Sequence, residues 1–135
     1  MRPALRVLDA YSLMAYLEGE DGTDKVVEVL KAARDSGRDL LLCVVNWGEV
    51  YYITLREAGR ERADQVARLL STLPIQFVPV DMELAKKAAE LKASKKMSYA
   101  DCFAAALARL RKAELVTGDK EFSQVESEVK ILWIA

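Results

Sequence analysis

Leu40, Leu41, Leu42, Cys43, Val44 and Val45 follow one another without a polar break. A strand with one face in water alternates apolar and polar side chains, whereas a strand covered on both faces need not. A short apolar run rich in branched residues, bounded by Asp39 and Asn46, therefore reads as an interior strand of a parallel sheet with helices on both faces. That single reading restricts the rest of the chain. Parallel strands must be joined by crossovers, usually helical, so amphipathic segments should alternate with short apolar ones.

They do. Residues 5–8 form a strand ending at Asp9, and Leu13, Met14, Tyr16 and Leu17 begin a helix that stops near Gly19. Val26, Val27, Leu30 and Ala33 lie at helical spacing, with Gly37 closing that helix. Asn46 opens a helix through about Ala58, Gly59 ends it, and residues 61–70 form another. Residues 76–80 read as a third strand, placed at an edge by Pro79. Residues 83–93 and the Ala-rich residues 98–112 are helical, residues 115–117 a fourth strand, residues 120–122 a short helix start, and residues 131–133 a fifth strand. The expectation is an α/β fold with a central, mainly parallel five-stranded sheet flanked by helices. Residues 1–135 read as a single domain, without repeats or linkers.

Composition narrows the chemistry. The chain has no His, which excludes His-based triads, most catalytic zinc sites and imidazole acid–base catalysis. With 20 basic and 21 acidic residues, it does not grip nucleic acid by bulk charge. Cys43 and Cys102 form no spaced motif and read as free core thiols of a reducing compartment. Residues 1–10 hold no apolar stretch of signal-peptide length, and no apolar run approaches a membrane span. A soluble, cytoplasmic protein is expected.

Four acids stand out by position. Asp9 ends the first strand, Glu49 lies early in the helix after the second, Asp101 lies in the first turn of the Ala-rich helix, and Asp119 follows the fourth strand. In an open parallel sheet the loops at the carboxyl ends of the strands gather at one edge, where ligands bind. Asp9, Glu49 and Asp119 should face that edge, and Asp101 joins them if its helix starts there. Each acid also has a capping role open to it. Asn46 with Glu49 and Ser98 with Asp101 fit capping boxes, Asp119 fits an N-cap, and Asp9 fits an Asx turn.

Converging carboxylates repel. Two charges about 5 Å apart cost roughly 3 kcal/mol at an effective dielectric of about 20, and this should raise the pKa of at least one of them. A divalent cation offsets the repulsion, and an oxygen-only donor set favours Mg²⁺ or Mn²⁺ over Zn²⁺. Such a cation retains waters, one of which can serve as a nucleophile in phosphodiester hydrolysis.

Val7-Leu8-Asp9-Ala10, Glu49-Val50, Tyr99-Ala100-Asp101 and Val116-Thr117-Gly118-Asp119-Lys120-Glu121-Phe122 resemble the acidic motifs of PIN-domain ribonucleases. More narrowly, they resemble the VapC toxins of type II toxin–antitoxin pairs, over nearly the whole chain. The resemblance implies a PIN-like three-layer fold and a Mg²⁺/Mn²⁺-dependent endoribonuclease. It also implies Asp9, Glu49, Asp101 and Asp119 as catalytic, metal-binding carboxylates, with Thr117 in support. Tyr11 departs from the small Ser or Asn often found two residues after the first Asp, and Ser12 is the nearby hydroxyl that can substitute. The family further implies a homodimer and a cognate antitoxin laid over the site.

Lys86, Lys87, Lys92, Lys95 and Lys96 outnumber Glu83 and Glu90 and form a locally positive segment. It reads either as a solvated helix face or as a phosphate track toward the acids. In the latter case Lys92, Lys95 and Lys96 are the RNA-binding candidates, Lys95 and Lys96 above all because they immediately precede the Asp101 helix. Trp47 and Tyr51 read as core, Tyr52 and Leu55 as an interface surface. Two other readings remain: a catalytically degenerate PIN-like binding module, and a receiver-like phospho-acceptor domain using Asp9, Asp81 and Thr117.

Overall fold

The apolar run divides between two elements. In this computed structural model, which describes residues 4–135, β2 (Leu40–Cys43) ends at Cys43 and α3 (Val44–Ala58) begins at the next residue. Val44 and Val45 are thus helical, and Asn46 lies within the first turn rather than opening the helix. The cause lies in the partner strand. Cys43 pairs with Val78, the last residue of β3 (Ile75–Val78), and Pro79 beyond it has no N–H to continue the ladder. Val44 and Val45 would have no partner as strand residues, and branched apolar residues are compatible with either state.

The remaining elements follow the sequence reading with ends shifted by a few residues. They are β1 (Arg6–Leu8), α1 (Ala10–Glu18), α2 (Thr23–Ser36), α4 (Arg60–Thr72), α5 (Met82–Ser94), α6 (Tyr99–Leu110), β4 (Glu114–Thr117), a 3-10 helix (Lys120–Val125) and β5 (Ile131–Trp133). Gly19 and Gly37 end α1 and α2 in the left-handed conformation that their spacing predicts. Residues 1–3, part of the stretch read as lacking a secretory signal, lie outside the described residues.

The five strands run parallel in the order β3-β2-β1-β4-β5. Pro79 thus follows an edge strand, as expected, although it lies just outside it. Alternating side chains feed two cores. Val7, Leu41 and Leu115 point to the face covered by α5, α6 and the 3-10 helix, among Leu84, Ala88, Leu107 and Phe122. Leu8, Leu42 and Val116 point to the face covered by α1 to α4, among Leu13, Val26, Val50 and Leu70. Trp47 stacks on Tyr51 at 5.2 Å and packs against this second core, while Tyr52 is exposed with the Arg56 guanidinium over its ring. Cys43 and Cys102 are buried free thiols. No described helix is long and apolar enough to cross a membrane.

The chain leaves β1 for β2 and β3 on one side, then returns for β4 on the other. The connectivity therefore reverses between β1 and β4, where a crevice opens at the carboxyl ends of the strands. Asp9 follows β1 and Asp119 follows β4 at that point.

Candidate metal and nucleic-acid site

Asp9 sits immediately after β1 and caps α1. Its Oδ1 accepts the Ser12 N–H at 2.8 Å, while the Ser12 hydroxyl accepts the Asp9 N–H at 3.2 Å, a reciprocal capping box. Its other oxygen, Oδ2, accepts the Thr117 hydroxyl at 2.5 Å. The same Thr117 oxygen accepts the Asp119 N–H at 3.1 Å, so one buried hydroxyl ties the ends of β1 and β4 together. Asp9 is only 1% exposed and lies beneath the crevice rather than in its lining. Burial pushes its carboxyl up to about 6, against the lowering effect of the Thr117 and Ser12 hydrogen bonds, and the Asp119 charge adds to the rise.

Asp101 arrives from a different direction. Ser98 caps α6 by accepting the Asp101 N–H at 3.1 Å, which leaves the Asp101 carboxyl in the crevice with Glu49 and Asp119. Burial is again the first cause that pushes Asp101 up, to about 7, followed by repulsion from Asp119, Glu49 and Asp9. Asp101 thus feels the charge of all three other predicted acids. Repulsion does raise a carboxylate as expected, but burial contributes more. Glu49 is also raised, chiefly by burial and further by Asp119, with the Asn46 amide opposing.

Asp101, Asp119 and Glu121 each place a carboxylate oxygen within 4.8 Å of the others'. Glu121 was not anticipated, although the motif that carries Asp119 contains it. Asp119 caps the 3-10 helix by accepting the Glu121 N–H at 3.0 Å, and this short turn brings the second acid to the first. Asp9 and Glu49 lie outside that tight group.

Asn46 is the second residue whose role the sequence did not reveal. It is fully buried and does not cap α3. Its Nδ2 donates to the Ala100 carbonyl at 3.1 Å and to Glu49 Oε1 at 3.4 Å, joining the helix of Glu49 to the helix of Asp101. Its Oδ1 has no hydrogen-bond partner among the described residues. An all-oxygen donor set, carboxyls held above their usual range and a buried amide oxygen without a partner fit a hard divalent cation.

The crevice has about 700 Å³ of space. Glu49, Asp101 and Asp119 bring carboxylates to its lining, Tyr11, Met14, Ala15 and Ile53 bring apolar surface, and Glu20 and Asp21 add two further acids. Ser12 points inward and does not line it. The Tyr11 ring lies over Gly118, where an added Cβ would sit 2.5 Å from Tyr11 Cε1.

Among the lysines, Lys92 donates to the Met97 carbonyl at 2.8 Å and Lys95 pairs with Glu128 at 3.6 Å. Lys96 is bonded through its backbone to Gln124 and exposes its side chain. Asp81 caps α5 by accepting the Leu84 N–H at 2.9 Å and does not line the crevice, which removes the acid a receiver-like site would need.

The fold is shared with toxin–antitoxin structures. The DNA-bound VapBC of Salmonella typhimurium matches with a TM-score of 0.75 at 17% identity, covering 98% of this chain and 100% of that one. VapBC2 of Rickettsia felis, bound to a promoter DNA fragment, matches with a TM-score of 0.75 at 13% identity, covering 95% and 97%. VapC20 of Mycobacterium tuberculosis, a toxin that cleaves the Sarcin-Ricin loop, matches with a TM-score of 0.71 at 17% identity, covering 89% and 94%. No curated protein matches the chain by sequence. The PIN domain family model matches residues 6–128, a span that includes all four predicted acids and Glu121, and the chain belongs to the PIN domain family.

Proposed function

We propose that this protein is a Mg²⁺- or Mn²⁺-dependent endoribonuclease and the toxin of a VapBC-type pair. The observation that carries the reading is the convergence of mutually repelling carboxyls at the switch point of a PIN fold. In this reading Asp101, Asp119 and Glu121 hold the cation directly, with Glu49 and the buried Asp9 completing the negative field. When bound, the cation supplies Lewis-acid stabilisation of the charge on the cleaved phosphate and lowers the pKa of water. The chain's own residues supply position. Thr117 fixes Asp9 relative to Asp119, Ser98 starts α6 so that Asp101 faces the crevice, and Asn46 holds Glu49 against α6. The acids cannot bind phosphate themselves, so attraction for the RNA backbone falls to the cation and to exposed Lys96. The antitoxin, a homodimer and a cytoplasmic location belong to the same proposal.

The test is cleavage of RNA by the full chain with Mg²⁺, Mn²⁺ or EDTA, alongside Asp101→Asn. Metal-dependent cleavage lost in the variant supports the reading. Cleavage undiminished in excess EDTA sinks the metal mechanism. RNA binding without any cleavage, in either metal, indicates the degenerate binding module instead.

A further inference from the structure

We propose that Tyr11 is a stacking platform for a nucleobase of the RNA substrate, set in the lining of the crevice beside the carboxylates. The inference rests on the ribonuclease reading and adds to it a base-binding residue.

Tyr11 is the second residue of α1, two residues after the Asp9 cap. Its ring packs on the backbone of Gly118, with Cε1 and Cζ 2.5 Å and 3.1 Å from the position a Cβ would take. It is nevertheless 42% exposed, so one side is seated and the rest is open to the crevice. Met14 and Ala15 continue the same face of α1 at the i+3 and i+4 positions, and Ile53 of α3 joins them. The result is a group of apolar side chains around the ring, in a crevice whose size falls within the range of about 300–1,000 Å³ usual for small-molecule sites.

Charge limits what can lie against that surface. No Lys or Arg is among the described residues lining the crevice, and Glu20 and Asp21 add to its acids. Away from the cation, a phosphate there would meet only carboxylates and apolar carbon, which disfavours the RNA backbone against Tyr11. The part of an RNA suited to that ring is planar, polarisable and free of the phosphate charge. A nucleobase has these properties and stacks on an aromatic face whatever its identity. Seating on Gly118 pre-orders the ring, so little freedom is lost when a base stacks on it.

The experiment compares wild type with Tyr11→Phe, Tyr11→Leu and Tyr11→Ser in binding single-stranded RNA of about 12 nucleotides carrying 2-aminopurine, with Ca²⁺ in place of Mg²⁺ or Mn²⁺ and the RNA verified intact on a gel, at several salt concentrations. Folding of each variant is checked by its thermal melt. Tyr11→Leu preserves bulk over Gly118 should Tyr11→Ser unfold. Tyr11→Phe should keep the affinity and the quenching of 2-aminopurine fluorescence. Tyr11→Leu and Tyr11→Ser should lose quenching and bind about 5- to 150-fold more weakly, the equivalent of about 1–3 kcal/mol, with an unchanged salt slope. Unchanged affinity in Tyr11→Leu and Tyr11→Ser overturns the platform while leaving the ribonuclease reading intact. So does equal damage by Tyr11→Phe, which would assign the effect to the hydroxyl. If those substitutions spare RNA but weaken binding of an arginine-rich peptide, the surface serves a protein partner and the platform is overturned. If wild type binds no RNA, the ribonuclease reading fails and the platform fails with it.

Discussion

Asn46 donates from a fully buried position to a carbonyl on one helix and a carboxylate on its own. Removing a buried donor strands its acceptors, so Asn46→Ala should cost about 1–3 kcal/mol in urea unfolding, well above a typical surface change. The sequence displays Asn46 three residues before Glu49, and that spacing serves a capping box and an in-helix contact equally well. What separates them is whether the helix starts at 46 or 44, which the pairing limit of β3 decides. Gly118 gives a second residue-level expectation. A methyl group there would overlap the Tyr11 ring and press on Ile134 Cγ1 at 3.2 Å. Gly118→Ala should therefore cost about 1–3 kcal/mol by overpacking. The cost should be smaller in a Tyr11→Ala background, because the nearer obstacle is gone and the two sites couple. Equal costs in the two backgrounds would show that the ring is not seated there.

At the N-terminus of α6, capping and a functional role fall on different residues. Ser98 provides the side-chain cap, and Asp101 provides the N–H that it satisfies together with a carboxyl that faces its acidic neighbours. Ser98→Ala should therefore lose about 0.5–2 kcal/mol of stability by thermal melting and keep its cleavage. Asp101→Asn should do the reverse, losing cleavage without losing stability in EDTA. If Asp101 were only a helix-start residue, both variants would retain activity. Most elements were legible because turn glycines and apolar periodicity bound them, as at Gly19, Gly37 and the Leu84, Ala88 and Leu91 stripe of α5. The turn before α6 was not legible. It is held by the Gln124 side chain, which accepts the Lys96 N–H at 3.0 Å and donates to the Lys96 carbonyl at 3.2 Å. Nothing local in either segment signals a bond across that separation. The positive segment around it was read by composition alone, whereas its members have specific neighbours. Lys92 closes the turn through the Met97 carbonyl, and Lys95 shares Glu128 with Arg109.

For the molecule as a whole, the crevice stores unfavourable electrostatics that a cation or a proton can relieve. Asp9 titrates near 6 and Asp101 near 7 in the folded chain, both above the ordinary Asp value of 3.8. A raised native pKa means that the folded state binds the proton more tightly than the unfolded state. Metal-free stability is then greatest below about pH 4 as far as these two groups are concerned, and it is lost as pH rises through the folded values near 6 and 7. For Asp9, which is essentially fully buried, the loss is on the order of 3 kcal/mol. Chemical denaturation in EDTA between pH 5 and pH 8 should show the decline, and Mg²⁺ or Mn²⁺ should restore stability at the upper end by mass action. Asp9→Asn separates this account from a purely structural one. An amide oxygen can still accept the Ser12 N–H, and Thr117 can reverse its hydroxyl to accept from the new amide, so the geometry survives while the buried charge disappears. The variant should be inactive, yet at pH 8 in EDTA it should exceed wild type by about 1–3 kcal/mol, with the gap closing toward pH 5. Its response to metal should also be weaker. If Asp9 were only the cap of α1, the variant would show no pH-dependent gain and wild type would not respond to Mg²⁺ or Mn²⁺. Denaturation curves of the two proteins at two pH values, with and without metal, distinguish these outcomes.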